Sequence, residues 1–146
     1  MSAVWVDRML VDVRGDGDAV VFIHGLGGSL NAWTPLLPAL PNHRCVRMDL
    51  PGAGRSHKAY ALGESTPHGG RLSVAVHADA VRRVCESQGI THAHVVGHSF
   101  GTVIAQHLAA ETPALVRSLT VFGALAEPPQ TLRDVMADAH LATLAI

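Results

Sequence analysis

Apolar residues along the chain fall into two recurring forms. Short β-branched runs end in Gly-rich or polar breaks, and several breaks open a segment with apolar residues three and four apart. Strands alternating with helices predict a mostly parallel α/β sheet with flanking helices. Trp5 to Val13 reads as extended, an opening strand or hairpin, and Arg14-Gly15-Asp16-Gly17-Asp18 follows as a turn cluster. Ala19-Val20-Val21-Phe22-Ile23 is unbroken apolar, the pattern of a strand covered on both faces. Cys45–Met48, His92–Val96 and Ser118–Gly123 read as further strands. A short helix is expected near Ala32–Leu40, with Pro38 placed to kink or end it. Ser73 caps a helix over Val74–Gln88 that Gly89 stops. On it Leu72, Val76, Ala80 and Val84 form the apolar stripe, while Asp79, Arg82, Arg83 and Glu86 face water. Another helix runs to about Glu111, before Pro113. His57 to Gly70 has no period and reads as a loop. After Glu127-Pro128-Pro129, the residues Leu132, Val135, Met136 and Ala139 mark a last amphipathic helix.

At 146 residues the chain is one domain or part of one. With 48% apolar and 16% charged residues it can bury enough surface to fold, so intrinsic disorder is excluded, and 14 Gly with 8 Pro exclude a coiled coil. The net charge is −1, with no basic cluster to hold nucleic acid. No stretch approaches the ~20 apolar residues of a membrane span, and Asp7 and Arg8 interrupt what could be a signal-peptide core. Cys45 and Cys85 have neither metal nor disulfide spacing, and read as reduced, buried thiols of a cytoplasmic protein.

Three segments carry chemistry. Gly97-His98-Ser99-Phe100-Gly101 is a G-x-S-x-G pattern between an apolar strand and a helix. A sharp strand-to-helix turn there strains the Ser99 backbone and exposes its hydroxyl at the carboxyl edge of the sheet. His24-Gly25-Leu26-Gly27-Gly28 follows an earlier strand, and its glycines let the loop come close. A serine nucleophile needs donors for the oxyanion it creates. The backbone N–H groups of Leu26 and Phe100 are the expected pair. Asp49-Leu50-Pro51-Gly52-Ala53-Gly54-Arg55-Ser56 follows the next strand. Asp49 and Arg55 read as a buried turn and its ion pair rather than substrate contacts. Phe22, Trp33 and Val103 read as core.

These motifs in this order, with Asn31-Ala32-Trp33, resemble the α/β-hydrolase superfamily over about Val20 to Gly123. In overall style the chain is most similar to esterases and lactonases with a lid, such as the 3-oxoadipate enol-lactonases. The resemblance implies an α/β-hydrolase fold whose C-terminal strands are absent from this chain. Residues 1–126 would be the N-terminal part of the core and 127–146 the start of a lid. It implies Ser99 as nucleophile and Leu26 and Phe100 as oxyanion-hole residues. The substrate would be a small carboxylic ester or lactone, with no cofactor, metal, nucleic acid or membrane partner.

In this fold the acid and the base follow the nucleophile in chain order, so both are expected beyond Ile146. Glu127 is the candidate acid inside the chain, since it follows the last strand. His24 reads as a residue that ties its loop, and His98 as pointing away from Ser99. His57 lies close in sequence to the second motif but has no spacing argument. His43, His68, His77, His92, His94, His107 and His140 are expected solvated or bonded locally, and the alternation of His92 and His94 lacks the third ligand a metal needs. Acyl transfer and C–C bond hydrolysis use the same motifs, and a catalytically silent fragment or interaction module is the alternative from another class. Halide release is disfavoured, because it wants a carboxylate where Ser99 stands. Substrate identity and oligomeric state are not encoded in these patterns.

Overall fold

The computed structural model describes residues 2–56 and 72–124. The strands are β1 (Ser2–Val6), β2 (Met9–Arg14), β3 (Asp18–Ile23), β4 (His43–Met48), β5 (Ala93–His98) and β6 (Val116–Phe122). They form one mixed sheet in the order β1-β2-β4-β3-β5-β6. β4, β3, β5 and β6 run parallel, and β2 and β1 are added antiparallel at one edge. Helix α1 (Val74–Ser87) connects towards β5, and α2 (Phe100–Glu111) links β5 to β6.

Among the described residues the expected strands and the two longer helices are present, with informative shifts, while the loop expected over His57–Gly70 and the helix expected at Leu132, Val135, Met136 and Ala139 lie outside the described residues. The opening segment is a hairpin, its turn at Asp7 and Arg8, both with positive φ (44° and 68°). Two such residues between paired strands match the twist of a tight hairpin, and Val6 faces Met9 across it. The segment expected as a short helix near Ala32–Leu40 is instead a run of 3-10 turns over Leu30–Ala39. Pro35 and Pro38 lie inside it and lack the N–H groups that α-helical bonding requires. Ser29 starts the run by accepting from the Asn31 N–H at 3.3 Å. α1 begins as expected, with Ser73 Oγ accepting from the Val76 N–H at 3.2 Å. His92 precedes β5, which starts at Ala93, and β6 starts two residues earlier than its pattern suggested.

The sheet's period of two sorts side chains between its faces. Val21, Ile23, Val46, Met48 and Val95 join Val81, Val84, Ile104 and Leu108 of the two α-helices in the main core. Each such fully buried aliphatic side chain stabilises the fold by ~1.5–3 kcal/mol. On the opposite face Val20, Phe22 and Cys45 form a smaller cluster with Trp33. The Phe22 and Trp33 rings lie 5.1 Å apart. β3 is thus covered on both sides, as its unbroken apolar run requires. Phe22 and Trp33 are core residues, and Val103 packs against the main core while partly buried. Both cysteines are free and buried. A buried ion pair fastens the hairpin to the 3-10 run: Arg47 Nε donates to Asp12 at 2.7 Å, and its Nη1 donates to the Leu30 carbonyl and to Thr34 Oγ1. Among the described residues no helix is long and apolar enough to cross a membrane.

Candidate active site

The carboxyl ends of the parallel strands β3, β4 and β5 bring the three motifs together. At the end of β5 the chain turns into α2 through Ser99, whose backbone sits at φ 52°, ψ −118°. For a non-Gly residue this is a strained conformation that costs ~1–3 kcal/mol and persists only if its surroundings impose it. They do so from three directions. The Ser99 N–H donates to the Phe122 carbonyl at the end of β6 (2.9 Å), while the Ser99 carbonyl accepts from both the N–H and the hydroxyl of Thr102 (2.9 and 2.6 Å). A Cβ on Gly97 would stand 2.6 Å from the Gly101 carbonyl oxygen, and one on Gly101 only 2.1 Å from that of Ile23. Only hydrogen fits at either place, which is the physical content of the two flanking glycines.

The loop after β3 lies directly against this turn. A Cβ on Gly25 would be 3.1 Å from Ser99 Cβ. Gly25 to Gly28 close a β-turn, the Gly28 N–H donating to the Gly25 carbonyl at 3.1 Å, with Gly27 at φ 70°. A positive φ at the third position of such a turn calls for glycine. Leu26, the second turn residue, is part-exposed, and among the described residues its N–H donates to none. Phe100 heads α2, where the first N–H groups have no partner within the helix. Among the described residues neither the Leu26 nor the Phe100 N–H has a backbone acceptor, and both residues adjoin the Ser99 turn.

His24 holds the loop rather than offering a base. It is 1% exposed. Its Nδ1–H donates to the Gly25 carbonyl at 2.7 Å, and its Nε2 accepts from the Leu50 N–H at 3.1 Å. Both ring nitrogens are used, and these partners select the neutral Nδ1–H tautomer. Burial holds its pKa below the ordinary histidine value, against the opposing pull of the Gly25 carbonyl and of Asp49. Through Leu50 the ring links the first loop to the second motif.

The second motif is tied to itself and to its neighbours. Asp49 is fully buried; Oδ1 accepts from the Leu30 N–H (2.8 Å) and Oδ2 from the Arg55 N–H (2.9 Å). The Arg55 guanidinium lies 3.6 Å from Asp49 and is mostly exposed. The Ser56 hydroxyl donates to the Asp49 carbonyl and accepts from the Leu10 N–H, which locks the turn to β2. A Cβ on Gly54, at φ 51°, would fall 2.5 Å from the Asp49 carboxylate. The expected structural roles of Asp49 and Arg55 agree with these bonds.

Between the loops opens a narrow cleft lined by His24, Gly25, Leu26, Gly27, Leu50, Pro51, Gly52, Ala53, Leu72, His77 and Phe100. Its walls are apolar, aliphatic residues with the Phe100 ring, apart from two imidazoles, and none of these residues carries a fixed charge. His77 is buried in this wall rather than solvated; it has the expected local contact, Nδ1 with the Ser73 carbonyl, and its Nε2 lies against the Pro51 carbonyl. His98 is exposed, with its Nδ1 3.6 Å from where a Gly25 Cβ would stand. His94 meets the Ser118 hydroxyl at 2.7 Å. Among the described residues no group of three His, Cys, Asp or Glu side chains could hold a metal ion. His57, His68, His140, Glu127 and the expected lid at 127–146 lie outside the described residues.

A family model described as the alpha/beta hydrolase fold matches residues 18–141. RutD of Azorhizobium caulinodans, named a carbamate hydrolase, is 32% identical over 123 residues, which are 84% of this chain and 43% of that protein. The dihydrolipoyllysine-residue acetyltransferase component of the acetoin cleaving system of Cupriavidus necator is 37% identical over 108 residues, 73% of this chain and 26% of its own length. A solved N-acyl homoserine lactonase, complexed with N-hexanoyl homoserine lactone, superposes with a TM-score of 0.73 at 27% identity, covering 92% of this chain and 49% of that one. The chain thus spans less than half the length of these relatives. With its mixed sheet, its strained turn at Ser99 and a family match over most of its length, the chain belongs to the α/β-hydrolase fold family.

Proposed function

We propose that this chain carries the nucleophile and the oxyanion hole of a hydrolase for small carboxylic esters or lactones. The observation that carries the reading is the seating of the Gly25 loop against the strained Ser99 turn, with a Gly25 Cβ position 3.1 Å from Ser99 Cβ. Ser99 Oγ attacks the substrate carbonyl carbon and gives its proton to a general base. The carbonyl oxygen becomes an oxyanion between the N–H groups of Leu26 and Phe100, donors fixed before the reaction begins. Collapse expels the alcohol, which takes up that proton, and leaves an acyl-Ser99 ester. Water then releases the acid and restores the hydroxyl. In a lactone the alcohol and the acid stay in one molecule. In this fold the acid and the base follow the nucleophile in chain order, so the base is sought in the portion of the fold that this chain does not span, and Glu127 stays the candidate acid within it. An uncharged, largely aliphatic cleft favours a substrate without charge near the scissile bond.

The likeness to an acetyltransferase component favours a second reading, in which an acceptor other than water takes the acyl group. Both readings need the same nucleophile. Halide release fits less well, although a haloalkane dehalogenase is among the relatives, because a serine stands at the turn. The test is covalent. A fluorophosphonate should add one phosphonyl group to a form of the protein that also carries the base, mapped to Ser99 by peptide mass; Ser99→Ala should abolish it, and this chain by itself should label slowly or not at all. Equal labelling of the Ser99→Ala variant would remove Ser99 as the nucleophile.

A further inference from the structure

His77 lies in the first turn of α1 with both ring nitrogens against carbonyl oxygens, Nδ1 at 2.7 Å from Ser73 and Nε2 at 3.2 Å from Pro51. A neutral imidazole has one N–H and an imidazolium two. The shorter contact takes the proton, so Nδ1–H donates to Ser73. The Nε2 lone pair then faces the Pro51 carbonyl, acceptor against acceptor. The ring also makes a T-shaped contact with the Phe100 ring, at 5.3 Å between centroids and 82° between planes. One side chain therefore touches three segments that border the cleft: the start of α1, the loop after β4 and the first residue of α2.

We propose that His77 is a positioning residue of this site, with two states that set how the Pro51 loop and Phe100 meet across the cleft. Its catalytic meaning rests on the reading of Ser99 and Phe100 above. In the neutral state Pro51 is held by packing against an unmatched acceptor. Protonation turns Nε2 into a donor, forms the bond to Pro51, and puts a positive charge in the wall shared with Leu26 and Phe100. Burial opposes the charge and holds the His77 pKa below the ordinary value, the Ser73 and Pro51 carbonyls pull it up, and His24 pushes it down. Among the described residues, the titratable group facing it is the His24 imidazole of the β3 loop, itself beside Asp49 of the β4 loop. From α2 it meets the Phe100 ring. The neutral state therefore holds at neutral pH, and the charged state is reached on acidification below ~6.5.

The test is an NMR titration of the whole chain. The His77 ring resonances should titrate with a midpoint below ~6.5, and the Phe100 and Gly52 amides should shift with that midpoint. In His77→Gln the step at these amides should vanish, while the step of the His24 ring remains. A Phe100 amide that stays still while His77 titrates overturns the proposal, as does a step that survives in His77→Gln. If that variant fails to fold, the wild-type titration alone decides. No turnover is needed, so this result is separate from fluorophosphonate labelling: if a base-containing form of the protein fails to label while this chain shows the coupled titration, the nucleophile reading is lost and the two-state contact is kept.

Discussion

At the scale of single residues the strongest physical signature is strain. Ser99 sits at φ 52°, ψ −118°, and no side-chain cap bond compensates it. Removing the side chain should therefore help the fold. Strain of ~1–3 kcal/mol is released, while glycine costs ~0.5–1 kcal/mol in chain entropy. Ser99→Gly is expected to stabilise the chain by about 1 kcal/mol, read from the urea midpoint at unchanged slope, whereas a buried serine holding a structural bond would lose stability on the same change. Ser99 is readable in the sequence because G-x-S-x-G has a steric origin, its glycines standing where a Cβ would meet backbone. His77 is not readable, because its partners are the carbonyls of Ser73 and Pro51, and backbone carbonyls leave no mark on residue identity.

At the scale of elements, the turn from β5 into α2 works through contact of backbones. The Gly101 position has a Cβ clash with the Ile23 carbonyl at 2.1 Å, whereas Gly89, after α1, has open space and only its positive φ of 66°. Overpacking costs ~1–3 kcal/mol and occasionally more, with a rigid backbone clash at the upper end, and a left-handed non-Gly residue costs ~1–2 kcal/mol. Gly101→Ala should thus lower stability by roughly twice as much as Gly89→Ala in matched denaturation curves. Equal losses would mean that the two backbones are not in contact. Strands and α-helices are legible to within a few residues because burial on one or two faces writes a period into the sequence. Two elements are less so. The Asp7–Arg8 turn lacks the Asn-Gly or Asp-Gly pair that usually announces its geometry. The Leu30–Ala39 run has apolar spacing like a helix, and Pro35 and Pro38 shift its hydrogen bonding to 3-10 turns.

The whole molecule joins a well-packed core to a polar network that depends on neutral histidines. His24 and His77 both have folded pKa values below the ordinary one, chiefly through burial. The unfolded chain therefore binds more protons as pH falls through ~6.5, and stability must fall with it. The stability these two groups contribute is present above the unfolded pKa and is lost as pH drops towards their folded values. Thermal melts should shift down between pH ~7 and pH ~5, and less so in His77→Gln. A melting temperature that is constant or rises across that interval would contradict the assignment of both rings as neutral. The half of the site made by backbone turns and glycines is legible in sequence. The acid and base of the proposed mechanism are not, because in this fold those residues follow the nucleophile in chain order and the chain spans 43% of its carbamate hydrolase relative.

The central claim, that Leu26 and Phe100 aim their N–H groups at the oxygen formed when Ser99 reacts, is tested most directly by the structure of a phosphonate adduct of a form of the protein that also carries the base. The adduct should be on Ser99 Oγ, with the phosphonyl oxygen ~2.7–3.1 Å from both backbone nitrogens. An adduct on another side chain, or a phosphonyl oxygen turned away from Leu26 and Phe100, would contradict the account.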